Sequence, residues 1–413
     1  MRVAIVSTSD GMPGGFAAAY RLHKGLRRQA IDSLMVVGKK TRDDASIVDD
    51  PRFLAKVWRA IAPKLDRIPN KFTGVPTKKI SSAWVPNNTF SRVQALNPDV
   101  VNLHWINNGF LRLEALSKFR QPLVWTLHDM WAFAGGEHYV GECNRYQVGY
   151  TPHSRPSHER GWDVNRWIWH RKQRAWANLR NLTIVTPSHW LAECAKRSVL
   201  FSDTRIEVIA NGIDHHRFKP IGRDTARQIL GLPQDKRLIL FGAVNATSDT
   251  RKGFHLLKLA LQEMRDESPH TELVVFGASA GIGEADFGRT CHYLGRLHDE
   301  ISLALVYAAV DVFVAPSIQD NLPNTVLESL ACGTPVVAFN IGGMPDMIEH
   351  QQNDYLAKAF EAQDFATGLQ WVLASSQRWQ QLSQRARQKV EQQFTLEIQA
   401  QNYLRLFKQI IKQ

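Results

Sequence analysis

Cysteine is scarce in this 413-residue chain, and the four present, Cys143, Cys194, Cys291 and Cys332, lie far apart with no C-x-x-C pair. That spacing excludes a disulfide framework and a cysteine-based zinc site, and it fits a reducing compartment. Long apolar runs are missing too. The nearest approach to a membrane span, Ile301 to Pro316, is interrupted by Asp311 and falls short of the ~18 apolar residues a crossing helix needs. It reads as a helix followed by a buried strand. The opening residues, MRVAIVSTSDG, carry an apolar run too short for a secretory signal core and read as a first strand. No G-x-G-x-x-G fingerprint occurs, so a dinucleotide loop of that form is not expected.

Basic residues, by contrast, are in excess. A net charge of +12 implies an anionic partner, for which nucleic acid, anionic lipid and a phosphorylated substrate are the candidates. Short apolar strands recur at Arg2 to Thr8, Asp32 to Val37, Asp99 to Leu103, Pro122 to Leu127 and Leu182 to Val185, and a second series begins at Lys236. Helical patterns between them predict an α/β protein with parallel, doubly wound sheets, and the length suits two or three domains. The first strand runs into Gly11, Gly14 and Gly15 and then a helical pattern, a unit suited to backbone approach to phosphate. Two other strands end in histidine, at His104 and at His128-Asp129, and ligands of such sheets bind beyond the carboxyl ends of strands.

The densest chemistry lies between Ala315 and Gly343. An apolar strand leads into the polar loop Ser317 to Asp320, and Pro323 is expected in the first turn of a helix carrying Glu328. Asn321, Asn324 and Thr325 surround that helix start, where backbone N–H groups would receive phosphate oxygens, while Asp320 and Glu328 could accept hydrogen bonds from sugar hydroxyls. A nucleotide sugar has this footprint. After the strand Arg237 to Gly242, Arg251 and Lys252 form a cationic pair able to neutralise a diphosphate, each charge-assisted bond contributing about 1.5 to 3 kcal/mol.

Asp320, seven intervening residues and Glu328, followed by SLACGTPVVAFNIGGMPDMI, resemble the donor-binding signature of retaining GT-B glycosyltransferases of family 4, whose usual form has Glu at both ends. The resemblance covers essentially the whole chain. It implies a GT-B fold of two Rossmann-like, doubly wound domains facing a central cleft: 1–216 on the acceptor side, 217–394 binding the donor, and a final helix, 395–413, packing back on the first. It implies Glu328 on the ribose, Asp320 on sugar hydroxyls, Asn321, Asn324 and Thr325 near the phosphates, and Lys252 with Arg251 on the diphosphate. His128 is assigned to the donor sugar, Gly14 and Gly15 to the diphosphate, and His104 and Asp129 to the acceptor side. Retention of anomeric configuration follows, with no metal or other cofactor. The bacterial exopolysaccharide relatives, colanic acid transferases among them, often carry cysteines in the loop after His128; here Glu137 and Tyr150 stand at those places, and no metal is expected there. The family arginine that follows the strand glycine is replaced by Ala243.

The function so implied is sugar transfer to a saccharide or lipid-linked saccharide in cell-surface polysaccharide assembly, in the cytoplasm or at the inner face of the plasma membrane. A sugar-nucleotide epimerase and a non-catalytic nucleotide-sugar-binding subunit are the alternatives. Two basic stretches bear on partners. Phe53, Val57, Ile61 and Leu65 recur at helical spacing within 51–72, with Lys56, Arg59, Lys64 and Arg67 elsewhere on the helix, a pattern that suits an anionic membrane surface or packing on its own domain. Asn165 to Arg180 mixes arginines with tryptophans, but Trp169 and Trp176 follow core spacing and no nucleic-acid motif accompanies them. Gly281-Ile282-Gly283 lacks a following apolar helix and is set aside as a nucleotide loop.

Overall fold

A computed structural model describes residues 1–12, 14–73, 80–242, 249–264, 270–277 and 287–412. Ala243 and the Gly281–Gly283 run lie outside these. The chain forms two compact units, Met1–Ala210 with Gln399–Gln413, and Asn211–Ile398.

The first unit is built on seven strands: β1 (Arg2–Ser9), β2 (Asp32–Lys39), β3 (Ile47–Val48), β4 (Val100–Leu103), β5 (Leu123–Thr126), β6 (Leu182–Thr186) and β7 (Arg205–Val208). They pair in the order β3-β2-β1-β4-β5-β6-β7, all parallel; Val3, for example, pairs with Ser33 on one side and Val100 on the other. The central strands are runs of Val, Ile and Leu because both faces of a parallel sheet are covered by helices and neither meets water. Asn102 is the polar exception within β4, buried with its amide donating to the Val124 carbonyl and Thr126 Oγ1.

Helix Val164–Trp176 settles the fate of the tryptophan-rich segment. Trp169 and Trp176 are buried, and Trp176 meets the Trp125 ring edge-on at 5.4 Å and stacks near Phe201. Two of its cations point inward as well: Arg171 pairs with Glu114 at 2.7 Å, and Lys172 is buried with its ammonium donating to the carbonyls of Trp131, Ala134 and Gly135. That face of the helix belongs to the core of the first unit. Those lysine bonds, with Asn165 Oδ1 accepting from the Gly136 N–H at 3.0 Å and Tyr150 donating to Glu137 at 3.4 Å, hold the loop after His128 as buried structure.

The C-terminal helix Leu396–Ile411 lays Ala400, Tyr403, Leu406, Phe407 and Ile410 on the sheet of the first unit, against Val3, Ile5, Val100 and Val124. The units divide a few residues from the expected 216/217 and 394/395 positions. The local reason is that Ile213 donates to the Phe394 carbonyl at 2.8 Å and bridges Thr395, which keeps both short segments in the second unit.

The second unit repeats the plan with six parallel strands: β8 (Arg237–Gly242), β9 (Thr271–Phe276), β10 (Cys291–Tyr293), β11 (Val312–Ala315), β12 (Val336–Phe339) and β13 (Tyr355–Ala357), in the order β10-β9-β8-β11-β12-β13. No helix among the described residues is long and apolar enough to cross a membrane.

Candidate functional site

In the second sheet the strand order reverses between β8 and β11, which are adjacent and parallel. Connections leaving such a pair diverge to opposite faces and open a crevice at the carboxyl ends, the place where these sheets take ligands. The loops after β8 and β11 supply the candidate residues, and they are bonded to each other. Ile318 donates its N–H to the Arg251 carbonyl at 2.8 Å, and the Arg251 guanidinium donates to the Gln319 carbonyl at 3.0 Å. Lys252 Nζ stands 2.6 Å from Asp320 Oδ2, with Arg251 Nη1 at 3.6 Å from the same oxygen. Burial alone would raise the Asp320 carboxyl, but Lys252 and Arg251 outweigh it and hold the group below its ordinary value, so it is ionised at neutral pH. Asn321 is buried beside it, its backbone N–H 3.1 Å from Asp320 Oδ1.

Pro323 does not enter the helix. It is the N-cap, with φ −66° and ψ 122°, and the helix runs Asn324–Ala331. An extended ψ lets its carbonyl accept from Val326 at 3.1 Å, and proline brings no side-chain acceptor to the first amides. Asn324 and Thr325 therefore stand, half-buried, at the positive end of the helix. Glu328, one turn on, is buried and accepts from Tyr307 Oη at 3.1 Å. Tyr307 escaped sequence reasoning because it sits inside the apolar helix Glu300–Ala309, where an aromatic reads as core. At the amino ends of the same strands, three arginines, Arg223, Arg227 and Arg237, converge on the one carboxylate of Asp311.

The first sheet reverses order between β1 and β4. His104 follows β4 and His128 follows β5, and their rings stack at 5.2 Å with Nδ1 of His104 2.9 Å from Nε2 of His128. The tautomers follow from Asn102. Its amide nitrogen is committed as a donor, so Oδ1 accepts from His104 Nε2–H at 2.9 Å. Burial and the neighbouring His128 push the His104 pKa well below the usual histidine range, so the ring is neutral and its Nδ1 accepts from His128 Nε2–H. His128 is itself pushed down to about 4 by burial, against the pull of Asp129, and is left with Nδ1 as its acceptor nitrogen. Gly15 opens helix Gly15–Arg28 against this ring: a Cβ there would lie 2.9 Å from His128 Cδ2. Gly14, its N-cap, has φ +68°.

Asp129 is engaged by its own unit. It accepts from His138 Nδ1 at 2.6 Å, the Trp131 N–H at 3.0 Å and Trp105 Nε1 at 3.2 Å. Sequence reasoning misses His138 and Trp105; the signals available are the density of His and aromatic residues just after His128 for the first and the His104-Trp105 strand end for the second. Thus the structure gathers Arg251, Lys252, Asp320 and Asn321 into one cluster, places Asn324, Thr325 and Glu328 on the adjoining helix, and joins Gly15, His128 and His104 in the other unit. No group of three or more His, Cys, Asp or Glu able to hold a metal ion occurs among the described residues.

Residues 14–217 match the family model described as Glycosyltransferase Family 4, and residues 222–389 match Glycosyl transferases group 1. A D-inositol 3-phosphate glycosyltransferase from Segniliparus rotundus is 29% identical over 186 residues, 42% of this chain and 40% of that protein. The chain thus spans about two fifths of the length of such curated relatives. Among solved structures, sucrose-phosphate synthase from Thermosynechococcus elongatus superposes with a TM-score of 0.69 at 18% identity, covering 100% of this chain and 99% of that one. Anabaena HepE in complex with UDP and glucose gives 0.63 at 17%, covering 99% of each chain. These likenesses establish the fold, GT-B, with two Rossmann-like units. With the two family models together reaching from residue 14 to residue 389, the chain belongs to the group 1, family 4 glycosyltransferases.

Proposed function

We propose that this protein transfers a sugar from a nucleotide-diphosphate sugar to a hydroxyl of a saccharide or lipid-linked saccharide, with retention of anomeric configuration, in the assembly of a cell-surface polysaccharide. The observation that carries the donor half is the convergence of Lys252, Arg251, Asp320 and the amide end of helix Asn324–Ala331 at the reversal point of the second sheet. A diphosphate needs cations and oriented N–H groups, and both are supplied there. The HepE structures with UDP and glucose, and with UDP-glucose, support a nucleotide sugar as the ligand class.

In this reading the acceptor oxygen bonds to the anomeric carbon as the bond from that carbon to the diphosphate oxygen breaks, and the acceptor proton passes to the departing phosphate. Lys252, released from Asp320, and Arg251 meet the charge that develops on the leaving group, with the helix end in place of a metal ion. Asp320 then holds sugar hydroxyls and Glu328, oriented by Tyr307, holds the ribose. Asn321, Asn324 and Thr325 flank the phosphates. Gly14, Gly15 and the acceptor nitrogen of His128 keep the diphosphate and sugar roles that their motif positions imply, and His104 acts by fixing the His128 tautomer. A binding-only subunit is the second reading, favoured by Ala243 in place of the family arginine and by engagement of Arg251 with Asp249 and Gln319.

The test is the melting temperature with a panel of UDP-, GDP-, ADP- and CMP-sugars, on wild type, Glu328→Gln and Lys252→Ala. One nucleotide should stabilise the wild type, by about 2.7 kcal/mol at a concentration 100 times its Kd, and both variants should lose at least tenfold in affinity. No shift with any donor sinks the proposal. A shift without transfer to any acceptor moves the binding-subunit reading ahead, and turnover of donor alone identifies an epimerase.

A further inference from the structure

Helix Phe53–Asp66 leaves its largest apolar side chains in solvent. Phe53 is 77% exposed and Leu54 78%, and Val57, Trp58 and Ile61 are all exposed by about two fifths. At 3.6 residues per turn these five fall within roughly 140° of arc, a stripe wide enough to lie flat on an apolar surface. The side turned to the rest of the unit is a different one, marked by buried Ala62 and Asp66, the latter accepting from the Trp84 N–H at 3.2 Å. The stripe continues into the turn Ile68–Phe72, where Phe72 is 61% exposed. A soluble surface helix normally buries its apolar face; here Phe53 and Leu54 stay more than three quarters in solvent, while Trp58, about two fifths exposed, donates its Nε1–H to the Pro86 carbonyl.

The charge beside the stripe is of one sign. Lys56, Lys64, Arg67 and Lys71 are exposed, and the first three fall along one edge of the stripe. The nearby carboxylates are withdrawn: Asp50 is buried and bonded to Arg52 and Asn88, Asp49 lies 3.5 Å from Arg59, and Asp66 is buried. Phe53 to Phe72 thus presents bulky apolar groups with a row of cations and no exposed acid. A protein partner would ordinarily require a shaped complement, whereas a bilayer interface requires only apolar side chains able to enter the acyl boundary and cations at headgroup level.

We propose that the exposed face of helix Phe53–Asp66 and the turn after it docks the protein on an anionic membrane surface. The proposal stands without the donor reading, because vesicle binding needs no nucleotide. Its test is co-flotation of the full chain with phosphatidylcholine vesicles with or without one third phosphatidylglycerol, at low and high salt. Wild type should float with the anionic vesicles and be released by salt. Phe53→Ser with Leu54→Ser should weaken binding at least about tenfold, and Lys56→Gln with Lys64→Gln about fivefold per residue. Thermal melts check that each variant is folded. Failure of wild type to float at low salt, or unchanged flotation of the Phe53/Leu54 variant, overturns the proposal. So does self-association that this variant abolishes in the absence of any vesicle binding, which would make the face a contact between two copies of the chain.

Discussion

Gly342 has a φ of +53°, and a Cβ on it would stand 1.9 Å from the Asp320 carbonyl oxygen. The Asp320 loop is therefore shaped against a backbone with no side chain, and Gly343 donates to the same carbonyl at 3.3 Å. Gly342→Ala incurs left-handed strain of about 1 to 3 kcal/mol together with a contact that only backbone movement relieves. A loss of about 3 kcal/mol or more in urea unfolding is expected, and an undiminished midpoint would show that the loop relaxes freely. His128 offers a second prediction at this scale. The unfolded chain takes up its proton near 6.5 and the folded one only near about 4. Stability contributed by the neutral ring is complete above pH 6.5 and is lost as pH falls toward 4, about 3.5 kcal/mol across the window at 1.4 kcal/mol per unit. His128→Gln should flatten the fall in unfolding free energy between pH 6.5 and 4, and an unchanged slope would assign it to other groups, His104 and His23 first among them.

Strand ends and helix ends carried the legible part of the site. Lys252, Asp320 and His128 stand in the stretches between a strand and the next helix, with Glu328 one turn into its helix, and there apolar runs, prolines and glycines mark the chain plainly. Their partners lay inside elements and gave no such signal. Tyr307 looks like any core aromatic, Asn102 is a single polar residue in a buried strand, and Lys172 sits in a helix whose other cations made it look like surface. A buried cation reveals itself only when three carbonyls are seen around it.

At the scale of the whole molecule the C-terminal helix Leu396–Ile411 completes the first unit's core across nearly the full length of the chain. Tyr403 bonds Thr126 Oγ1 at 2.8 Å, Thr126 receives Asn102, Asn102 orients His104, and His104 orients His128. Phe407→Ala should cost about 3 to 5 kcal/mol by leaving a cavity under the sheet, read in the unfolding midpoint of the first unit; a loss under 1 kcal/mol would mean that the helix is a dispensable brace.

Two parallel sheets are legible in the chain as apolar runs alternating with helical periods, and the family in the spacing of Asp320, Glu328 and the glycines after them. Local patterns suffice for these because period and punctuation are local properties of the chain. The pairing of Lys252 with Asp320, 68 residues on, the histidine tautomers, the burial of the Trp169 helix and the exposure of Phe53 and Leu54 arise from contacts that no local pattern specifies. Amphipathic patterns state that a helix has an apolar face; what that face meets depends on elements distant in sequence.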